Sequence, residues 1–374
     1  MASVSDIAKI IEEWAPPSTA QSYDNVGLQV GRAERSVSRV IVALDLTPGV
    51  VDEAIRKDAD LIITHHPLLF RPLKSLTGGD FVSGLALRLA EAGIALYAAH
   101  TNLDAARDGV SFALASALDL RGVEFLTTLE DSLCKLVTFV PESHELLVRE
   151  AIAAAGGGRI GNYDSCAFGT KGIGYFRAGE GAQPAVGAAD GTVQSVEEVR
   201  VEAEVPTWRV AQTIAALRSA HPYEEVAYDI YPQNRRYSGA GLGAVGDLPG
   251  PMAVPDFLTH VAAALKADVL RFSGPDEARI SRVAVCGGAG ADLMDSARRA
   301  GAQAYVTSDV SYHRFFEVSD EHGTADLLLV DAGHYETEAG TEQLLVDRLR
   351  QSLPEIEFHP TTVRTSPVRT FTRS

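Results

Sequence analysis

The sequence predicts an α/β fold, a parallel-rich mixed sheet flanked by helices and interrupted by an α+β insert of ferredoxin-like order. Three observations predict it. Short apolar runs of strand length, Arg39 to Leu44, Leu61 to Ile63 and Ile94 to Ala99, alternate with stretches of helical spacing, the pattern of βαβ units. The character of the chain changes near residue 125, and residues 159–205 are glycine-rich with short alternating runs. From about residue 247 the α/β rhythm returns. The division expected is 1–126 for the first half of an α/β metal-binding domain, 127–246 for the insert, and 247–374 for the second half with an exposed C-terminal tail.

Composition narrows the function classes. The chain has 374 residues, too many for one ordinary core. A net charge of −17 argues against a nucleic-acid-binding surface. Cys134, Cys166 and Cys286 form no CxxC pair, which suits a reducing compartment and a cytoplasmic location. No apolar run is long enough to span a membrane. The opening MASVSDIAKIIEEW carries acids and reads as an amphipathic helix rather than a signal peptide.

In chain order, Ser5 is a plausible N-cap for that first helix, and Pro16 and Pro17 stop it. Asp24 and Asn25 with Gly27 read as a buried turn before a short strand. Strand Arg39 to Leu44, a helix opened by Pro48, and strand Leu61 to Ile63 make one βαβ unit. That last strand ends in Thr64-His65-His66-Pro67, and Pro67 keeps His66 extended. Adjacent side chains on an extended chain point apart, so two such histidines suit two different metal ions, or one metal and one supporting role. Helix Phe81 to Ala92 ends at Gly93; strand Ile94 to Ala99 runs into His100, Asp104 and a helix from Val110.

Within the insert the expected elements are a strand from Leu133 to Val140, a helix from Ser143 to Ala155, strands around 172–176 and 196–205, a helix from Trp208 to Ala220 and a strand from Val226 to Tyr231, an order matching ferredoxin-like modules. His221-Pro222-Tyr223-Glu224-Glu225 reads as a structural turn or interface, and Gly239 to Gly246 as the return linker. Beyond it, Val283 to Cys286 is a strand followed by Gly287-Gly288-Ala289-Gly290, which reads equally as a phosphate cradle or a tight strand-to-helix turn. Ala304 to Thr307 ends at Ser308-Asp309, with His313 just after, and Leu327 to Val330 ends at Asp331. His334 and Glu338 are four apart and share a helix face if a helix starts near His334.

His65, His66, Asp104, His334 and Glu338 therefore fall just past strand ends of what reads as one sheet, where α/β proteins gather their active groups. Three imidazoles and two carboxylates can hold two divalent ions, Zn, Fe or Mn, with a carboxylate between them. His100 and His313 are candidates for supporting or proton-transfer roles, His100 being the catalytic candidate.

YDNVGLQVG, ITHHPLLF, HTNLDAARDGV and DAGHYETE together resemble the signature motifs of the NIF-three-like family, widely labelled homologues of a type-two GTP cyclohydrolase. The match spans nearly the whole chain. The resemblance implies a dinuclear metal site on His65, His66, Asp104, His334 and Glu338, and a toroidal homohexamer. It implies a PII-like insert ending in HPYEEVAYDIYP. The implied activity opens the guanine imidazole ring of GTP, releasing formate and giving dihydroneopterin triphosphate. Ser308-Asp309-Val310-Ser311 departs from the Gly-Asp-Leu-Lys-like run of many members and leaves Asp309 without an expected role. A phosphoesterase would use the same ions, and a metal-binding scaffold, metal chaperone or regulator is the non-enzymatic alternative.

Overall fold

The computed structural model of the chain describes residues 2–371. It divides into two compact units, one formed by the residues up to Thr128 together with those from Gly239, the other by Leu129–Ser238. The expected boundaries at 126 and 246 instead cut two strands that pair with each other.

The larger unit begins with the helix Val4–Trp14. Its N-cap is Ser3, not Ser5: the Ser3 hydroxyl accepts from the Asp6 amide, and the Asp6 carboxylate accepts from the Ser3 amide. A capping box needs its acid three residues on, and Asp6 supplies it only for Ser3. Strands β1 (Gly27–Val30), β2 (Arg39–Ala43), β3 (Leu61–Thr64) and β4 (Ala95–Ala98) follow, then β5 (Arg121–Thr128). All four residues of β3 and of β4 are buried, as strands covered on both faces require.

The Leu129–Ser238 unit holds β6 (Leu133–Pro141), β7 (Ala167–Phe176), β8 (Gln194–Pro206) and β9 (Tyr228–Pro232), with helices Glu145–Ala154 and Val210–Ala220. Its sheet order is β7-β8-β6-β9, antiparallel throughout. Cys134, Leu136 and Val140 of β6 pack with Val148, Ile152 and Leu217 of the helices. His221 is buried; its Nε2 donates to the Phe139 carbonyl at 2.9 Å and its Nδ1 accepts from the Tyr223 amide at 3.2 Å. Both nitrogens are used in holding a turn. A cleft of ≈ 690 Å³ in this unit is lined by Phe139, Tyr175, Phe176, Arg200, Tyr223 and Glu225, among others.

The chain returns to the larger unit as β10 (Gly241–Ala253), then β11 (Arg271–Ser273), β12 (Arg279–Ala289), β13 (Ala304–Ser308), β14 (Leu328–Asp331) and β15 (Glu357–Pro360). The glycine-rich run expected as a linker is strand β10, zipped antiparallel between β5 and β12. Its glycines allow close approach: a Cβ on Gly241 would lie 2.2 Å from the Thr127 carbonyl oxygen.

The one sheet expected for the metal-binding domain is two. The first has order β1-β4-β3-β2-β15, parallel except for β1; the second has order β11-β14-β13-β12-β10-β5, with β12, β13 and β14 parallel. Apolar runs announce strands but not which of them pair, so two half-sheets read as one. Among the described residues no helix is long and apolar enough to cross a membrane.

The C-terminal tail, expected to be exposed, is anchored as far as Thr365, although Thr362 and Arg364 stay open to solvent. Thr361 and Thr362 bond to Glu53, Val363 packs against the apolar cluster around Val50 and Val51, and Thr365 is buried. Polar letters suggested solvent, yet here the hydroxyls satisfy a buried carboxylate. Burial pushes the Glu53 carboxyl up, but hydrogen bonds from Lys57, Thr361 and Thr362 prevail and bring it down to about 2. That stability is present above the ordinary glutamate pKa of about 4.3 and is lost as pH falls toward about 2. Replacing Glu53 by Ala would leave the threonine donors unpaired, a loss on the order of 2–3 kcal/mol. Urea unfolding at neutral pH should show it; a change below about 0.5 kcal/mol would mean that the carboxylate does not anchor the tail.

Candidate metal centre

Both sheets of the larger unit bring the carboxyl ends of their parallel strands to one place. His65 and His66 follow β3, continuing its ladder by amide bonds to the Ala43 and Leu44 carbonyls. His100 follows β4, and the helical turn Thr101–Asp104 carries Asp104. From the second sheet, β14 leads through Gly333 into the helix His334–Glu338. A helix starting at His334 puts His334 and Glu338 on one face.

Glu338 is the hub. Its Oε1 lies 3.7 Å from His65 Nε2, and its Oε2 lies 3.1 Å from both His66 Nε2 and His334 Nε2. His65 Nε2 also faces Asp104 Oδ1 at 3.6 Å. His65, Asp104 and Glu338 form one group whose ligand atoms lie within 4.8 Å of one another; His66, His334 and Glu338 form a second, and His65, His66 and His100 a third. The adjacent histidines thus serve different groups and meet through Glu338.

The far side of every ring is fixed. His65 Nδ1 donates to the Ala99 carbonyl at 2.8 Å, His66 Nδ1 to Asp45 at 2.8 Å, His100 Nδ1 to Asp24 at 2.9 Å and His334 Nδ1 to Asp309 at 2.7 Å. Carbonyls and carboxylates only accept, so each Nδ1 carries a proton, and it is Nε2 of the neutral ring that turns a lone pair toward the site. Metal-ligating histidines are held in this way. Fit to a metal is also visible in what lacks a partner. His65 Nε2, Asp104 Oδ1 and Glu338 Oε2 are buried without a hydrogen bond of acceptable geometry, a costly state for polar atoms unless something else binds them. The donor set of imidazoles and carboxylates accepts Zn, Fe or Mn.

The Gly287-Gly288 pair, read as a phosphate cradle or tight turn, lies inside β12 where its register with β13 shifts. A Cβ on Gly288 (φ +62°) would come within 2.3 Å of Glu338 Oε1. The glycine makes room for the hub carboxylate, so the phosphate reading does not hold.

Three supporting residues escaped the sequence reading. Asp24, taken for a turn residue, accepts from the His100 ring and from the amide and hydroxyl of Thr101. Asp309 orients His334, and Asp45 orients His66. Asp45 and Asp309 each stand just past a strand end, β2 and β13, the one signal that could have found them. His313 is exposed beside Tyr312 and belongs to none of the groups. Sequence proximity to β13 suggested it, but a 3₁₀ helix, Tyr312–Val318, carries it onto the surface.

Charge in the site is divided unevenly. Burial would raise Glu338, but the rings of His334 and His65 close beside it hold it well below the glutamate range. Burial lifts Asp104 to about 6 against the pull of His65. Burial opposes a charge on His66, yet Asp45 and Glu338 at its two nitrogens raise it to about 10. The Glu338 carboxylate at its Nε2 raises His334, against burial, to about 9. Both rings are therefore protonated near neutral pH, and a metal must displace those protons.

Metal binding should accordingly release about two protons per chain near neutral pH, and apparent affinity should climb as pH rises from neutral toward about 9. Calorimetric zinc titration in buffers of different ionisation enthalpy measures both. Binding that is pH-independent and releases no proton would contradict these charge states.

The chain is similar to known proteins over nearly its whole length. The family model Duf34/NIF3 (NGG1p interacting factor 3) matches residues 2–367. A protein of Halalkalibacterium halodurans named "GTP cyclohydrolase 1 type 2 homolog" is 38% identical over 365 residues, 96% of this chain and 97% of its own length. A Bacillus subtilis protein of the same name is 41% identical over 330 residues, 88% of this chain and 87% of its own. The crystal structure of a Bacillus cereus protein related to NIF3 superposes with a TM-score of 0.85 at 36% identity, covering 99% of both chains. A Staphylococcus aureus protein of known structure gives 0.76 at 27% identity, again over 99% of both. The chain belongs to the Duf34/NIF3 family.

Proposed function

We propose that this chain is a dinuclear metal-binding protein acting as a metal-dependent hydrolase on a nucleotide. The observation that carries the reading is the convergence of His65 Nε2, Asp104 Oδ1 and Glu338 Oε2, all buried and unpaired, beside the Nε2 atoms of His66 and His334. In this reading His65 and Asp104 would hold one divalent cation and His66 and His334 the other, with the Glu338 carboxylate available to both groups. Divalent cations so placed supply Lewis acidity and lower the pKa of water at neutral pH.

The chain's own residues do the rest. Burial of His65 and Glu338 keeps competing water from the inner ligands. His100, tied to Asp24 at Nδ1, presents Nε2 beside the rings of His65 and His66, with ring centroids 5.2 and 5.3 Å away. It is placed to take a proton and return it. The name borne by the relatives suggests GTP as substrate, with formate as a product. One observation favours a second, regulatory reading: the ≈ 690 Å³ cleft of the Leu129–Ser238 unit, which we read as a PII-like module, has the size of a small-effector site.

The test is formate release from GTP by fully metal-loaded protein. The reading expects formate that disappears on chelation and returns with metal, and a His100→Ala variant that loses on the order of 10²–10⁴-fold in turnover while retaining metal. Intact GTP together with turnover of a phosphodiester would move the substrate, not the site. No turnover on either substrate at full loading would exclude the hydrolase and leave the binding role.

A further inference from the structure

The chain past β15 runs across the back of the metal centre. The Thr361 amide bonds the Val42 carbonyl at 2.7 Å, extending the pairing of β15 with β2. Thr361 and Thr362 are then pinned by Glu53. Val363 crosses the start of the helix Pro48–Arg56 at Gly49, where a Cβ would meet Val363 Cγ1 at 3.2 Å. Arg364 pairs with Glu336 at 2.7 Å, and its guanidinium lies 4.6 Å from the centre of the Tyr335 ring. Both partners sit in the short helix between His334 and Glu338. Thr365, 4% exposed, donates to Asp45 Oδ2 at 2.8 Å. The other oxygen, Asp45 Oδ1, receives the His66 ring.

We propose that residues 361–365 form a strap that positions His66 through Thr365 and Asp45, and so sets the affinity of the His66–His334–Glu338 group separately from that of His65 and Asp104. The proposal rests on reading the site as a metal centre. A carboxylate that accepts one hydrogen bond can turn about its last torsion, which is broad. One held on both oxygens cannot turn without breaking a bond. The Thr365 hydroxyl therefore fixes the carboxylate plane, and with it the ring direction of His66. His65 has no such dependence. Its Nδ1 is held by the Ala99 carbonyl, a backbone group whose own amide is locked to Thr64 and which the strap does not reach. Of the two groups that share Glu338, one is thus set by backbone and the other by a side-chain relay that ends some 300 residues away in sequence. The Arg364 contacts tie the same strap to the helix of His334 and Glu338, so it bears on that group from two sides.

The test is Co(II) titration of metal-stripped full-length protein, followed by calorimetry and by the ligand-field absorption of the bound ion. Wild type should take up two equivalents. Thr365→Val, which keeps the shape and removes the donor, should weaken one equivalent by about 3- to 10-fold, less than the roughly 10–100-fold typical of losing a direct partner of a ligand. Its absorption band should change, and the other equivalent should not. Thr365→Ser should restore both affinity and spectrum, a rescue that a packing defect would not show. Asp45→Asn should weaken the same equivalent further, and it decides the matter if the valine variant does not fold. Unchanged binding in both variants, equal weakening of both equivalents, or failure of serine to rescue overturns the strap while leaving the metal centre standing. Wild type that binds no Co(II) overturns both.

Discussion

The structure is organised around one buried carboxylate. Glu338 is 3% exposed and faces three imidazole nitrogens within 3.7 Å. Burying an ionised group costs several kcal/mol unless it is compensated. Without metal, protons on the surrounding rings supply the compensation, which is why His66 and His334 hold theirs to about 10 and about 9. With metal, cations would take over that role. The rings are fixed from behind, not by the charge in front of them, so a change in that charge need not move them.

That fixing explains features that look unrelated in the chain. Two separate sheets are needed, since His65, His66, His100 and Asp104 come from one and His334 and Glu338 from the other. The bulge in β12 and the bare Cα of Gly288 are needed because Glu338 occupies the space a side chain would fill. The motif around Asp24 also gains a purpose. Asn25 and Gln29 hold the backbone of Leu69 at 2.6 and 2.9 Å, steadying the loop that follows the two histidines, while Asp24 steadies His100. Asn102 does similar work from within, accepting from the His100 amide at 3.0 Å and donating to the Ala15 carbonyl at 2.7 Å.

Residues that touch the site directly were legible in the sequence because their types are chemically narrow. Histidines and acids just past apolar strands, with a proline after His66 and a four-residue spacing between His334 and Glu338, each have a structural alternative and point to a metal only when taken together. Their supports were less legible. Asp45, Asp309 and Thr365 are common surface letters, and only the fold shows that each is aimed at a ligand or its partner. Apolar strands were readable, but the glycine-rich β10 passed for a linker, and because pairing was not readable two sheets passed for one. Glycine misled twice for a single reason: it marks close approach, and sequence does not say to what. At Gly241 the neighbour is backbone; at Gly288 it is the hub carboxylate.

The central claim is that Glu338 joins two metal positions, and metal stoichiometry tests it most directly. Native mass spectrometry of metal-loaded wild type and of Glu338→Gln, an isosteric change that removes the charge, reads the number of ions per folded chain. The account predicts about two ions for wild type and fewer for the variant, because both positions draw on the same carboxylate. Two ions retained in the Glu338→Gln chain, or none in wild type at saturating metal, would contradict it.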